Sequence, residues 1–131
     1  MSVNTAFIID DDPIFVFGSK VLLKNNGFAS NILVCQNGQE ALEVIMSLLE
    51  SEEGLPEVIF LDLNMPIMDG WEFLDEFGKL ANGHDTRIYI LSSSIDTRDI
   101  ERAKTYDMVS DFIAKPLTDS KILELLQELE G

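Results

Sequence analysis

Five short apolar runs, each followed by a longer stretch of helical periodicity, constrain this chain more than any other feature. The runs Thr5–Ile9, Asn31–Cys35, Val58–Leu61, Arg87–Leu91 and Asp111–Ala114 read as strands. Ala6-Phe7-Ile8-Ile9 and Val58-Ile59-Phe60-Leu61 are apolar throughout, as strands buried on both faces of a parallel sheet are. Helices are predicted over Pro13–Asn26, Gln39–Glu50, Gly70–Leu80, Thr97–Thr105 and Thr118–Leu129. The first has Pro13 at its first position and Gly27 just beyond its end. Asp12 reads as its N-cap, with a metal-binding role as the alternative. Apolar residues recur at helical spacing in the second (Ala41, Leu42, Ile45, Leu48, Leu49), the third (Trp71, Phe73, Leu74, Phe77) and the last (Ile122, Leu125, Leu126, Leu129). A strand-helix order repeated in this way predicts an α/β fold: an open parallel sheet with helices on both faces, its topology restricted by right-handed crossovers.

Length and charge narrow the function. A chain of 131 residues, 46% hydrophobic, suits one globular domain over 1–131, with no output domain expected after the last helix. A net charge of -15 with nine Lys and Arg argues against nucleic acid or anionic membrane as a partner, because both are bound through basic patches. No segment reads as a signal peptide or a membrane span, so a cytoplasmic location is expected. Cys35 reads as a buried strand position, and the single histidine, His84, as a solvated loop residue in a turn-like stretch.

In sheets of this kind, ligands bind beyond the carboxyl ends of the strands. Here the first strand ends in Asp10-Asp11-Asp12, the third in Asp62, the fourth in Ser92-Ser93-Ser94 and the fifth in Lys115-Pro116. Two carboxylates about 4 Å apart repel by roughly 4 kcal/mol at an effective dielectric of about 20. A hard divalent cation relieves that cost, and Mg²⁺ uses few carboxylates while leaving positions for phosphate oxygens. Taken singly, a strand-end Asp is often a helix cap and a lysine an ordinary surface residue. Joint placement on one edge is what favours a site.

Four segments carry a resemblance over essentially the whole chain: Phe7-Ile8-Ile9-Asp10-Asp11-Asp12-Pro13, Phe60-Leu61-Asp62-Leu63-Asn64-Met65-Pro66-Ile67-Met68-Asp69-Gly70, Ile90-Leu91-Ser92-Ser93-Ser94 and Phe112-Ile113-Ala114-Lys115-Pro116. In that order they resemble the response-regulator receiver family, whose chemotaxis member is a single domain. The resemblance implies a flavodoxin-like, doubly wound five-stranded parallel sheet of order 2-1-3-4-5 with five helices. It also implies phosphorylation of Asp62 with Mg²⁺ held by Asp11, by Asp10 through water, by Asp62 and by the Asn64 carbonyl. Ser92, or Ser93 if the register shifts by one, would bond the phosphoryl oxygen, Lys115 would be recruited to it as well, and the Lys115-Pro116 peptide would be cis. Phe112 stands where the family places a switch aromatic, with a plain core role as the alternative, and Gly70 belongs to a structural turn. The implied partners are a histidine kinase or phosphotransfer protein and a downstream protein target that meets the face of the fourth helix, fifth strand and fifth helix.

Two other functions fit these residues less well. An aspartyl-phosphate hydrolase of similar fold usually has a second Asp two residues after the nucleophile, where this chain has Asn64. A flavin-binding module needs a phosphate loop after the first strand, where three aspartates stand instead.

Overall fold

The apolar runs form strands that pair in parallel, each reached from the last by a helix. The computed structural model describes residues 3–80 and 85–130, so His84 lies outside the described residues. The order is β1 (Val3–Ile9), α1 (Pro13–Asn25), β2 (Ala29–Cys35), α2 (Gly38–Ser51), β3 (Val58–Asp62), α3 (Gly70–Leu80), β4 (Arg87–Ser92), α4 (Thr97–Ala103), β5 (Val109–Ala114) and α5 (Asp119–Glu130). The sheet runs β2-β1-β3-β4-β5, the expected doubly wound order.

Side chains alternate across this sheet and build a core on each face. Phe7, Ile9, Ile59, Leu61, Ile88 and Ile90 pack with Ile45 of α2 and Phe73, Leu74 and Phe77 of α3. Ile8, Val58, Phe60, Tyr89 and Leu91 pack on the other side with Leu23 of α1 and Ile122 and Leu125 of α5. The middles of the central strands, Ala6–Ile9, Val58–Leu61 and Ile88–Leu91, are therefore buried throughout, whereas the edge strands β2 and β5 carry Asn31 and Asp111. Cys35 is buried at the end of β2, where burial and the nearby Glu40 and Glu43 push its thiol up to about 11, so it is an unreactive core residue. Among the described residues, no helix is long and apolar enough to cross a membrane.

Several ends differ from the sequence reading, each for a local reason. β1, β2 and β5 begin two residues earlier, because ladder pairing continues past the apolar run: Val3 pairs with Ala29, and Val109 with Ile88. α1 ends at Asn25 in a Schellman motif, with Phe28 N–H donating to Leu23 O at 2.9 Å and Gly27 N–H to Lys24 O at 3.0 Å. Gly27 takes φ 60°, and the buried Leu23 and Phe28 supply the apolar contact that accompanies such a stop. α4 stops at Ala103 rather than Thr105, whose amide and hydroxyl both turn back to Arg102 O at 3.0 and 2.7 Å. Thr118 lies outside α5 and caps it, its hydroxyl accepting from Lys121 N–H at 3.1 Å. β5 carries a bulge: Ile88 pairs with Val109 and Tyr89 with Asp111, leaving Ser110 as the extra residue.

Gly70 fixes how closely α3 starts beneath β3. A Cβ there would lie 2.6 Å from Asp62 O and 2.9 Å from Leu63 Cα, both backbone atoms with little room to give. Gly18, inside α1, has nothing within 4 Å. Gly70→Ala is expected to lower stability by about 2 kcal/mol or more, and Gly18→Ala to raise it by about 0.5–1 kcal/mol. Urea denaturation of the two variants checks both signs, and a neutral Gly70→Ala contradicts the close approach.

Candidate functional site

The two-residue period of the strands decides which strand-end groups meet. Asp62 pairs with Leu91, which faces the α1/α5 side. Asp10 follows Ile9 and Lys115 follows Ala114, so Asp10, Asp62 and Lys115 fall on that same side. Ser92 pairs with Ala114 and so alternates to the other face, with Phe112, which packs against the α2/α3 core. A backbone bond from Lys115 N–H to Ser92 O, 2.8 Å, holds the ends of β4 and β5 together.

Lys115 Nζ lies 2.8 Å from Asp10 Oδ2 and 3.8 Å from Asp62 Oδ1, and its side chain is 14% exposed. Its third neighbour is the ring of Phe15, whose centroid is 4.3 Å away. Asp10 and Asp62 are buried, Asp11 is exposed, and one carboxylate oxygen from each lies within 4.8 Å of the others. Asp10 Oδ2 is buried and, apart from the ion pair, has no aligned hydrogen bond. Burial and the neighbouring Asp10 raise the Asp62 pKa to about 6, against the opposing pull of Lys115 and of the Asn64 amide. One ammonium therefore does not balance the carboxylates, and the oxygen donor set suits a hard cation. Asp12 stands apart from this cluster: its Oδ1 accepts from Ile14 N–H at 3.0 Å and Phe15 N–H at 3.3 Å, capping α1.

The β3–α3 loop presents Asn64, whose amide donates to Asp62 Oδ1 at 3.4 Å. It then turns through Ile67, 80% exposed with φ 68°, a left-handed conformation that is strained for a β-branched residue. Asp69 and Glu72 close the loop as a reciprocal capping box for α3, at 2.9 and 3.2 Å. In the β4–α4 loop, Ser92 is buried and its hydroxyl donates to Ser94 O at 2.8 Å, while Ser93 is exposed. Phe112 is half-buried, and the Lys115–Pro116 peptide is cis. The sequence reading singled out Asp10, Asp11, Asp62 and Lys115, which the fold brings together. It missed Phe15, whose only sequence signal is a place on the first turn of the helix that follows the acidic run.

The raised Asp62 pKa has a stability consequence in metal-free protein. The folded state holds this proton more tightly than the unfolded chain, so the contribution is complete below about pH 4 and is lost as pH rises through about 6. The loss is at most about 3 kcal/mol. Urea unfolding in chelator at about pH 4 and pH 7 should show Asp62→Asn gaining on the parent at the higher pH, and an equal difference at both contradicts the shift.

Known proteins resemble this chain in sequence and fold. Residues 6–127 match the model of the response regulator receiver domain. A two-component response regulator of Arabidopsis thaliana is 30% identical over 128 residues, covering 95% of this chain and 83% of that protein. An uncharacterised response regulatory protein of Vibrio cholerae is 28% identical over 96% of this chain, which spans only 44% of that relative's length. Among solved structures, a two-component response regulator from Cytophaga hutchinsonii superposes with a TM-score of 0.88 at 28% identity, covering 100% of both chains. With the strand order and the acidic sheet edge, a match of this extent settles the family: the chain belongs to the response regulator receiver domains of two-component systems.

Proposed function

We propose that this receiver domain accepts a phosphoryl group on Asp62, with Mg²⁺ bound beside it, from a histidine kinase or phosphotransfer protein. One observation carries the reading: the buried Asp62 carboxylate lies among Asp10 and Asp11 and 3.8 Å from the Lys115 ammonium. A carboxylate oxygen of Asp62 attacks phosphorus, the bond from phosphorus to the donor nitrogen breaks, and its electron pair stays on the donor imidazole.

The residues fit Mg²⁺, since the donors are oxygens, the carboxylates crowd one another, and Asp10 Oδ2 lacks an aligned hydrogen bond. Asp11, Asp62, the Asn64 carbonyl and, through water, Asp10 would hold the ion. When bound, it offsets the repulsion of the carboxylates and the charge on the phosphoryl oxygens. Lys115, 3.8 Å from Asp62, would supply a second positive charge.

Ser92 gives up its bond to Ser94 O and donates to a phosphoryl oxygen instead. Phe112, half-buried behind it, turns inward as that loop closes. The face of α4, β5 and α5 then meets a downstream protein. In this reading the receiver domain is a cytoplasmic signalling domain, which catalyses no reaction beyond its own phosphorylation and dephosphorylation.

With Mg²⁺ and acetyl phosphate, the protein is expected to gain the mass of one phosphoryl group, labile to hydroxylamine, and Asp62→Asn to gain none. Undiminished labelling of Asp62→Asn would falsify the assignment. A metal titration separates the neighbouring acids. Asp11→Asn should weaken Mg²⁺ binding about tenfold or more, whereas Asp12→Ala should leave it within about twofold and cost about 1 kcal/mol of stability through the lost cap. Equal losses of affinity place the metal register one residue off.

A further inference from the structure

Among the described residues, Lys115 Nζ meets two acids, Asp10 and Asp62, and one hydrocarbon ring. Phe15 presents its face to the ammonium with the centroid 4.3 Å away. The ring is set there by the start of α1, where Asp12 accepts the Phe15 amide at 3.3 Å and Pro13 occupies the first helical position. It is half-buried and lines a cleft with Pro116 and Leu117, the residues that follow Lys115. An aromatic face attracts an ammonium through its quadrupole, more strongly where water is excluded, and the Lys115 side chain is only 14% exposed.

Lysine carries its charge on a flexible four-carbon stem, so its position is set by whatever surrounds the head group. The two acids hold it unequally, at 2.8 Å from Asp10 and 3.8 Å from Asp62. The acids alone leave the α1 side of the ammonium open, and the ring closes that side without adding a negative charge that would compete with the incoming phosphoryl oxygens.

We propose that Phe15 is a positioning residue for phosphoryl transfer, its ring holding the Lys115 ammonium between Asp10 and Asp62 where charge develops on the transferred group. This rests on Asp62 being the acceptor. An aliphatic side chain packs in the same place but supplies no quadrupole, so positioning and packing are separable.

The test replaces Phe15 with a series of progressively fluorinated phenylalanines, which keep the ring's shape while draining its quadrupole, beside Phe15→Leu and Phe15→Trp. Thermal unfolding of the series should be level. In NMR without Mg²⁺ or donor, the ε-methylene protons of Lys115 should be shifted by the ring in the parent and in Phe15→Trp. They should return to ordinary lysine positions in Phe15→Leu. With Mg²⁺ and acetyl phosphate, the labelling rate should fall stepwise with fluorination, by about tenfold at the end of the series, and by a similar factor in Phe15→Leu. Phe15→Trp should stay within about twofold of the parent. A labelled parent with a flat fluorination series overturns the positioning role alone, as do Lys115 signals unchanged in Phe15→Leu. A parent that takes no phosphoryl group overturns the acceptor reading and this role together.

Discussion

The 2.8 Å contact between Lys115 and Asp10 allows two buried carboxylates to share the end of a sheet whose interior is otherwise apolar. An isolated charge taken out of water costs several kcal/mol in a real protein even after relaxation. Asp10 and Asp62 both sit where the chain leaves the core, and neither can retreat, because each is fixed by the strand residue before it. The ammonium offsets part of that cost and no more, which is why Asp62 still holds its proton up to about pH 6. A site with residual negative charge, oxygen donors and one exposed carboxylate, that of Asp11, is poised for a cation from solvent.

The sheet had to be parallel and doubly wound for this contact to exist. Asp10 and Lys115 lie more than 100 residues apart in the chain, on strands separated by β3 and β4. Parallel pairing sends every strand end to the same edge, and the two-residue period then sorts those ends by face. The same sorting separates the charged trio from Ser92 and Phe112. The charged groups and the Ser92 hydroxyl therefore stand on opposite faces of one sheet edge.

Much of this was legible in the residues. Runs such as Val58-Ile59-Phe60-Leu61 admit few readings other than a central strand, and an acid at the end of each of two such runs marks the edge. What stayed hidden depends on the third dimension. The difference between Ser92, buried at the end of β4, and Ser93, exposed just beyond it, is one such feature. The bulge at Ser110 follows from the ladder between β4 and β5, not from any turn residue. Ile67 carries no glycine-like signal, yet it adopts φ 68°, because the bonds from Gly70 N–H to Leu63 O and from Gly38 N–H to Met68 O fix the loop on either side. The Phe15 ring looks in sequence like one more apolar residue of an amphipathic helix.

α4 is anchored differently from the other helices, and this bears on how a change at Asp62 could travel. Ala103 is its one buried residue, so the core holds it weakly. It is held instead from the side: Arg102 lies 4.4 Å over the Trp71 ring of α3, Trp71 stacks on Tyr106 at 5.9 Å, and the Tyr106 hydroxyl donates to Asp75 at 2.8 Å. Bonds of this kind, half-exposed and polar, can exchange partners at a cost far below that of opening a packed core. The segment leading into α4 is tied down at Ser92, whose hydroxyl holds the backbone of Ser94. In the proposed mechanism that hydroxyl is the group drawn to the phosphoryl oxygen, so the bond released is the one that pins the entrance of the most lightly held helix. A phosphoryl group shifts such an equilibrium only through contacts that differ between the two states. In that mechanism Ser92 would supply the difference at the sheet edge, and α4 would be the element that responds.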